Sequence, residues 1–299
     1  NDDLDGDSGD DVIYGEAGHD RIDGDHGDDE LYGGKGNDRI DGDHGDDVLE
    51  GGAGDDHLEG DHGDDLLAGG EGDDYVEGGR DDDLVYFPEA TEGVEVWITN
   101  WGRGHALDGT PGADGEVGRD RLGSSIDGAI GTPYDDVLVG DDTGNPLYGK
   151  GGNDLLDGRG GDDELYGGAE DDVIWGRDGR DLIDGGAGQD WIDAGSHDDE
   201  IYVGRGDDTV YAGNGNDRIV STLEWGVAVI DGESGHDTLR SESGFDSSSG
   251  RYVEVYPTAD GKVAMMVVER HTRRRATGGN TEPGIELHDV ETIDTIGAG

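Results

Sequence analysis

One branched aliphatic residue recurs at every ninth position through two long stretches of this chain. Counted from Gly6, the first units read GDSGDDVIY, GEAGHDRID and GDHGDDELY, and the period resumes at Gly131 and continues through Val220. A disordered acidic tract has no reason to keep an aliphatic side chain in each of these places, so the pattern predicts an ordered repeat with one core residue per unit. The eighth position of the unit is occupied by Leu4, Ile13, Ile22, Leu31, Ile40, Leu49, Leu58, Leu67, Val76 and Val85 in the first block, and by Leu138, Leu147, Leu156, Leu165, Ile174, Ile183, Ile192, Ile201, Val210 and Ile219 in the second.

Glycine and aspartate fill the other regular positions of the unit. The sixth position is Asp in each unit of both blocks except at Asn145, and glycine dominates the first, second and fourth positions. The resulting pattern, G-G-x-G-x-D-x-U-x with U a large aliphatic residue, resembles the RTX (repeats-in-toxin), or haemolysin-type, calcium-binding repeat. As strict repeats, the resemblance covers about two thirds of the chain.

The RTX resemblance implies an all-β fold, a right-handed parallel β-roll in which six residues of each unit turn and three form a short strand. Glycines in the turns would permit positive φ and close approach of backbones. Two units make one coil, so residues eighteen apart should stack at roughly 4.8 Å, the spacing of neighbouring strands. Asp29 is therefore expected beneath Asp47, where two uncompensated carboxylates would repel each other.

A divalent cation between successive turns would reverse the sign of that interaction. Calcium accepts six to eight oxygen ligands in flexible geometry, whereas magnesium demands a tighter octahedron and zinc and copper prefer nitrogen or sulfur. The stacking pairs provide about sixteen candidate calcium sites. Their predicted carboxylate ligands are Asp2, Asp11, Asp20, Asp29, Asp38, Asp47, Asp56, Asp65, Asp74, Asp83, Asp136, Asp154, Asp163, Asp172, Asp181, Asp190, Asp199, Asp208 and Asp217. The resemblance implies that backbone carbonyls of the turns complete the sites, among them those of Gly24, Asp25, His26, Gly27, Gly42, Asp43, His44, Gly45, Gly167, Gly168, Gly185 and Gly186.

Composition strengthens the case for a cation. The chain has 77 Asp and Glu against 20 Lys and Arg, a formal net charge of -57, and only 30% hydrophobic residues. Such a composition is typical of unfolded chains, because little apolar surface is available to offset the entropy of ordering, so we expect calcium to supply the stability. The acidity argues against a nucleic-acid partner, no apolar run is long enough for a membrane span, and the absence of cysteine excludes disulfides and thiolate metal sites.

Several units depart from the pattern at a glycine position. The fourth-position glycine is replaced by Asp81, Glu170 and His197, and the first by Ala194, Val203 and Ala212. We expect Val203 to strain a turn that needs positive φ and Asn145 to remove one charge from its site. Calcium is expected to bind weakly or not at all near these positions.

Four segments are predicted along the chain: a first RTX block at residues 1–86, a non-repeat spacer at 87–130 that continues the roll, a second RTX block at 131–240, and a C-terminal β-rich capping region at 241–299. In the cap, residues 252–256 and 263–268 are predicted strands joined by a turn. A cap is expected because an open solenoid end exposes core side chains and unpaired backbone. The chain opens within a repeat, so we expect it to be cut from something longer.

Two sets of side chains leave functional alternatives open. Aromatic residues recur eighteen apart. The histidines could form a transition-metal ladder and the other aromatic residues a platform for sugars, but we favour a duplicated repeat whose side chains pack across strands. These residues are His26, His44 and His62, Tyr14 with Tyr32, and Tyr148 with Tyr166, with Trp175 and Trp191 as further candidates for a sugar platform. The second set is the basic cluster Arg270, Arg273, Arg274 and Arg275, either a solvated loop or a surface for self-association or for an anionic surface polymer.

The function expected from these observations is structural. The sequence has no HExxH, GxSxG, P-loop or cysteine nucleophile, and we expect no enzymatic activity in it. We predict an extracellular calcium-binding module that folds on calcium binding, in a secreted adhesin, surface or matrix protein. The alternatives are a secretion and folding module of a secreted enzyme or toxin whose catalytic part lies outside this chain, and a glycan-binding module. The RTX resemblance implies export through the type I secretion route.

Overall fold

The computed structural model describes residues 1–111, 117–221, 229–232, 234–235, 237–241, 251–257, 263–269 and 292–295. Over these residues the secondary structure is entirely β, and no helix offers a long apolar span for a membrane. The chain divides into two compact units, Asn1–Glu164 and Leu165–Gly299. Within each unit the strands stack as parallel coils of a β-solenoid, as predicted.

The first unit is built from short strands that alternate between two sheets. In chain order they are β1 (Asp3–Asp5), β2 (Val12–Tyr14), β3 (Arg21–Asp23), β4 (Glu30–Lys35), β5 (Arg39–His44), β6 (Val48–Ala53), β7 (His57–His62), β8 (Leu66–Glu71), β9 (Tyr75–Arg80), β10 (Leu84–Tyr86), β11 (Glu95–Trp97), β12 (Gly104–Pro111), β13 (Val117–Leu122), β14 (Gly128–Ile130), β15 (Val137–Val139), β16 (Pro146–Tyr148) and β17 (Leu155–Gly160). The first sheet has the order β1-β3-β5-β7-β9-β13-β12-β11-β15-β17, and the second sheet the order β2-β4-β6-β8-β10-β14-β16. Each regular coil therefore contributes one strand to each sheet.

The eighth position of the unit forms the core between the sheets. Ile22 pairs with Ile40 in β3 and β5, and Leu31 pairs with Leu49 in β4 and β6. All four side chains are fully buried. Because the two flanking residues of a strand point outward, a single aliphatic ladder on each sheet closes the space between them. The predicted core is confirmed.

Many strands are longer than the three residues that the RTX resemblance implied. β4 has six residues, and Gly34 and Lys35 continue its parallel pairing with Gly52 and Ala53 of β6. The ladder of backbone hydrogen bonds thus extends through the first three positions of the next unit. Only the fourth to sixth positions remain as a turn between such strands.

Positive φ is needed at the second and fourth positions of the unit and not at the first. Asp25 and Asp43 at the second position have φ of 65° and 67°, and Gly27 and Gly45 at the fourth have φ of 144° and 140°. The expectation that Val203 strains its turn is therefore wrong, because it stands at a first position, where the backbone is not left-handed, and its side chain is buried. The residues that do adopt the left-handed region in place of a fourth-position glycine are Asp81, Glu170 and His197.

The spacer joins the first sheet by an antiparallel excursion. After β10 the chain enters β11, which pairs in parallel with β15, then reverses through β12 and returns in β13 beside β9. β14 then takes its regular place between β10 and β16 in the second sheet. The first sheet consequently contains two strands, β11 and β12, that have no counterpart in the second.

The second unit continues with the same strand lengths. Its strands are β18 (Glu164–Ala169), β19 (Val173–Asp178), β20 (Leu182–Ala187), β21 (Trp191–Ser196), β22 (Glu200–Tyr202), β23 (Thr209–Tyr211), β24 (Asn214–Gly215), β25 (Arg218–Ser221), β26 (Val229–Asp231), β27 (Ser234–Gly235), β28 (Thr238–Ser241), β29 (Arg251–Pro257), β30 (Val263–Glu269) and β31 (Thr292–Thr295). One sheet contains β19-β21-β23-β26 and another β18-β20-β22-β25-β28-β31. The predicted C-terminal hairpin is observed as the antiparallel pair β29 and β30, while β31 pairs with β28.

Candidate metal centre

The sixth-position aspartates are buried side chains at the end of each turn. Asp29, Asp47 and Asp65 are each 1% exposed. Each lies two residues before the buried aliphatic residue, so the start of the strand carries its carboxylate to the edge of the core. A buried carboxylate is costly unless it is paired or coordinates a metal. The sixth-position carboxylates of successive coils form a column. The hydrogen bonds of their two oxygens therefore decide whether this column can bind a metal ion.

One oxygen of each carboxylate is used by the backbone of the preceding coil. The amide of Asp29 donates to Oδ1 of Asp47 at 2.7 Å, and the amide of Asp47 donates to Oδ1 of Asp65 at 2.9 Å. These bonds stack the carboxylates eighteen residues apart. The same bond joins the predicted pairs 2–20, 11–29, 20–38, 38–56, 56–74, 65–83, 136–154, 172–190, 181–199, 190–208 and 199–217.

At many positions the other oxygen of these carboxylates is buried and has no hydrogen-bond partner among the residues that the structure describes. Such Oδ2 atoms belong to Asp11, Asp20, Asp29, Asp38, Asp47, Asp56, Asp65, Asp83, Asp190, Asp199 and Asp217. A buried acceptor without a donor costs roughly 1–3 kcal/mol, and more when it is charged. Repetition of the same orphaned atom from coil to coil indicates a ligand atom and not an isolated packing fault.

Where a unit keeps its first-position glycine, the orphaned Oδ2 atom faces a space that this glycine keeps open; Ala194 and Ala212 stand at that position before Asp199 and Asp217. A methyl group placed on Gly24 would lie 2.6 Å from Oδ2 of Asp29 and 2.9 Å from the carbonyl oxygen of Gly42. On Gly42 it would meet Oδ2 of Asp47 at 2.5 Å and the carbonyl oxygen of Gly60 at 2.9 Å. The first-position glycine thus serves close approach, and negative oxygens from two coils converge in the cradle. An all-oxygen donor set of this kind fits calcium.

Burial raises the pKa of several column carboxylates far above the usual value. The pKa of Asp47 and Asp65 is raised to about 7, and that of Asp83 and Asp199 to about 8. Desolvation is the largest cause, and the charge of neighbouring aspartates adds to it. Both effects oppose the charged carboxylate, and both are removed by a cation held between the coils.

Two sixth positions of the second block have a different environment. The amide of Thr132 donates to Oδ2 of Asp136 at 2.5 Å, and its hydroxyl donates to Oδ1 at 2.8 Å. At Asn145 the amide oxygen accepts from Asp141 N at 2.7 Å, and Nδ2 donates to the carbonyl of Asp127 at 2.8 Å. Donors of the chain satisfy both positions, which makes them weaker candidates for a cation.

Two carboxylates that the repeat pattern did not predict, Asp120 and Asp127, continue the columns across the spacer. The amide of Asp74 donates to Asp120 at 3.1 Å, although the two are 46 residues apart. The amide of Asp83 donates to Asp127 at 3.0 Å across 44 residues. Asp237 receives the amide of Asp217 at 3.1 Å. A usable signal existed in the spacer, because Asp120-Arg121-Leu122 repeats the spacing of a sixth-position acid and an eighth-position core residue.

A second, exposed ladder runs beside the buried one at the fifth position. The amide of Asp46 donates to Oδ1 of Asp28 at 3.1 Å, and the amide of Asp64 donates to Oδ1 of Asp46 at 3.0 Å. The direction is opposite to that of the buried ladder. Fifth-position carboxylates lie at the surface, where water solvates the second oxygen, so they lack the enclosure of the sixth-position column.

The aromatic columns expected from the spacing are present in the first unit. His26 stacks on His44 with ring centroids 4.8 Å apart, and His44 on His62 at 4.5 Å. Tyr14 stacks on Tyr32 at 4.8 Å. The nearly parallel rings are those of cross-strand packing, while ligand atoms of Asp43, His44 and His62 also lie within 4.8 Å of one another. The basic cluster at 270–275 lies outside the described residues.

Comparison with known families agrees with this geometry. The profile of the RTX calcium-binding nonapeptide repeat (4 copies) matches residues 1–31, 26–58, 50–85, 130–165, 139–174, 157–192, 193–222 and 229–247. The chain belongs to this family. No curated protein matches the chain significantly. RTX repeats bind calcium and are typical of structural modules in secreted proteins.

Proposed function

We propose that this RTX chain is an extracellular structural module whose folding is coupled to calcium binding, within a secreted adhesin, surface or matrix protein. The observation that carries the proposal is the column of buried carboxylates, in which a backbone amide binds one oxygen and, at many positions, the other oxygen faces a carbonyl oxygen of the next coil. The column is present in both units. It contains the predicted ligands and is extended by Asp120, Asp127 and Asp237.

The chain's own groups prepare the sites but do not neutralise them. Backbone amides hold Oδ1 and thereby aim Oδ2 at the cradle, and the first-position glycines leave room beside it. Asp29, Asp47 and Asp65 have no Lys or Arg partner among the described residues. Calcium, when bound, would supply positive charge and accept the carboxylate and carbonyl oxygens of two coils.

Coupled folding follows from the balance of charge and core. The core is one side chain thick, and the net charge of -57 opposes compaction. About sixteen divalent ions would offset more than half of that charge. In a calcium-poor compartment the same balance favours an expanded chain, which suits passage through a type I secretion channel before folding outside the cell.

The test compares calcium with chelator and with magnesium. We expect circular dichroism to show little strand signal in chelator and a cooperative gain with calcium, accompanied by a fall in the radius of gyration. Magnesium at the same concentration should do far less, because it keeps its waters and needs a tighter octahedron. Equal strand content with and without chelator would refute calcium-coupled folding.

A secretion and folding module attached to an enzyme or toxin remains the second candidate, because RTX repeats serve in both settings. We propose that the chain itself is not catalytic, since its acids are deployed in repeat columns and not in a single cleft. Sequencing the reading frame on both sides of this chain distinguishes an adhesin, surface or matrix protein from a secreted enzyme or toxin. A catalytic domain in the same frame would favour the enzyme or toxin, and further adhesive repeats would favour the adhesin.

A further inference from the structure

Five residues of the first sheet form a row of aromatic and cationic side chains across neighbouring strands. His57, Tyr75, Arg121, His105 and Trp97 are successive register partners in β7, β9, β13, β12 and β11. They come from a repeat block and from the spacer, and only the return of β13 beside β9 brings the two parts together. We refer to these five residues as the aromatic–cationic row.

The rings of the row follow one another closely. His57 stacks on Tyr75 with centroids 4.8 Å apart, and Trp97 lies nearly parallel to His105 at 6.1 Å. Between these pairs the guanidinium of Arg121 lies 5.3 Å from the centre of the Tyr75 ring. Since stacking covers the ring faces inside each pair, the row presents ring edges and the Arg121 guanidinium along a line perpendicular to the strands.

Hydrogen bonds to glutamate side chains orient three rings of the row. Nε2 of His57 lies 2.8 Å from Oε1 of one glutamate, the Tyr75 hydroxyl donates to a second, and Nε1 of Trp97 donates to a third at 2.8 Å. Each glutamate lies two residues away on the same strand: Glu59 and Glu77 follow their rings, and Glu95 precedes Trp97. The polar atoms are thereby satisfied by the chain, and ordering them on binding would cost little.

Beside the row is a cleft of about 510 Å³ lined by an exposed tryptophan and by arginines. Trp101 is 82% exposed, the largest exposure among the large hydrophobic side chains that the structure describes. Arg103, Arg119 and Arg121 line the same cleft. None of the three forms a salt bridge with a carboxylate of the described residues. Asp120 also lines the cleft but is only 3% exposed, so the three exposed arginines mark a local anion site.

The chemistry of the surface defines the ligand. Aromatic faces pack against the apolar faces of sugar rings, while the fork of a guanidinium binds a carboxylate with two hydrogen bonds. A row spread over several strands suits an extended chain. A cleft of this size suits one unit of such a chain.

We propose that the aromatic–cationic row and the adjoining cleft bind a carboxylated polysaccharide that lies across the strands of the first sheet. Arg103 and Arg119 contact its carboxylates, and Trp101 packs on a sugar face. The surface adjoins a calcium column, because Asp120, which continues that column, also lines the cleft. Trp101, Arg103 and Arg119 are not members of the column, and they give the module a ligand of its own.

The test uses the full chain at saturating calcium and a hexamer of galacturonic acid as the probe, with an uncharged hexasaccharide as comparator. Trp101→Ala and the double variant Arg103→Gln/Arg119→Gln should each weaken binding of the uronate at least about tenfold, which corresponds to about 1.4 kcal/mol. The matched control is Arg21→Gln/Arg80→Gln, which removes the same charge from the same sheet away from the cleft and should bind within about twofold of the parent. Calorimetry measures affinity, and circular dichroism verifies that each variant folds in calcium.

Several outcomes would overturn the proposal. Equal loss in the test and control double variants would mean that only general charge matters. Equal binding of the uncharged hexasaccharide would remove the role of the arginines. Binding that neither variant changes would place the uronate on calcium at the acidic columns. Sedimentation that shows self-association of the parent, lost in Arg103→Gln/Arg119→Gln, together with no uronate binding, would assign the surface to a second copy of the chain. Absence of uronate binding by the folded parent would also refute it.

Discussion

Replacement of Asp47 by asparagine should change the stability of the roll in opposite directions with and without calcium. Asn keeps an oxygen to accept the amide of Asp29, at 2.7 Å in the native chain, and it has nearly the same volume. The substitution therefore removes the charge and the Oδ2 ligand while it leaves the backbone ladder in place. Asn145 shows that a sixth position accommodates this side chain.

The magnitudes follow from the environment of the carboxylate. In calcium, Asp47→Asn removes a ligand that the pairs 29–47 and 47–65 share, and loss of one partner from a buried charge pair costs about 3–5 kcal/mol. In chelator near pH 7.5, the native carboxylate has a pKa raised to about 7 from the usual 3.8. At 1.36 kcal/mol per unit, its removal should relieve up to about 4 kcal/mol.

The matched control is Asp46→Asn, one residue earlier. It removes the same charge from an exposed side chain and keeps an oxygen for the amide of Asp64, bound at 3.0 Å. We expect it to change stability by less than about 0.5 kcal/mol in either condition. Any general effect of net charge is common to both variants.

The assay is urea unfolding followed by circular dichroism, at saturating calcium and in chelator. An excluded osmolyte such as trimethylamine N-oxide populates the folded form in chelator. Asp47→Asn should be less stable than the parent in calcium and at least as stable in chelator. If the two variants behaved alike in calcium, or if Asp47→Asn were also destabilised in chelator, the assignment of the orphaned oxygen to a cation would be refuted.

Three further predictions concern the same columns. Leu49→Asp should prevent folding at any calcium concentration, since it places a charge in a core one side chain thick; a normal calcium-induced dichroism change would contradict this. Asp136→Asn should shift the calcium midpoint much less than Asp47→Asn, because Thr132 already donates to both oxygens of Asp136; equal shifts would argue against it. Acid should partly replace calcium, because the raised pKa of Asp47 means that protonation of its carboxyl stabilises the metal-free roll fully below pH 3.8 and that this stabilisation is lost as the pH rises through about 7. In chelator at constant ionic strength, the strand content should therefore increase on acidification. An unchanged dichroism spectrum would contradict this.

Much of the candidate site could be predicted because one nine-residue period fixes both the core residue and the carboxylate of every coil. A nine-residue unit with Leu49 at the eighth position and Asp47 at the sixth repeats the same register, and parallel pairing at eighteen residues follows from it. The role of the first-position glycine was predicted only in part. Gly24 is needed because a methyl group there would lie close to the carbonyl oxygen of Gly42 in the next coil, and the φ of Gly24 is not positive. A contact between coils is not visible in the sequence of a single unit.

The period of the sequence by itself determined the core and the carboxylate columns, since every coil sees the same neighbours. What joins the columns across the spacer was decided only by tertiary structure. Asp74 meets Asp120 because a strand from the spacer can take the next place in the sheet when its register matches that of the repeat. The intervening residues add only the entropy of loop closure, which grows slowly with loop length. The same long-range pairing placed Arg121 beside Tyr75 and so created a surface that no repeat unit encodes.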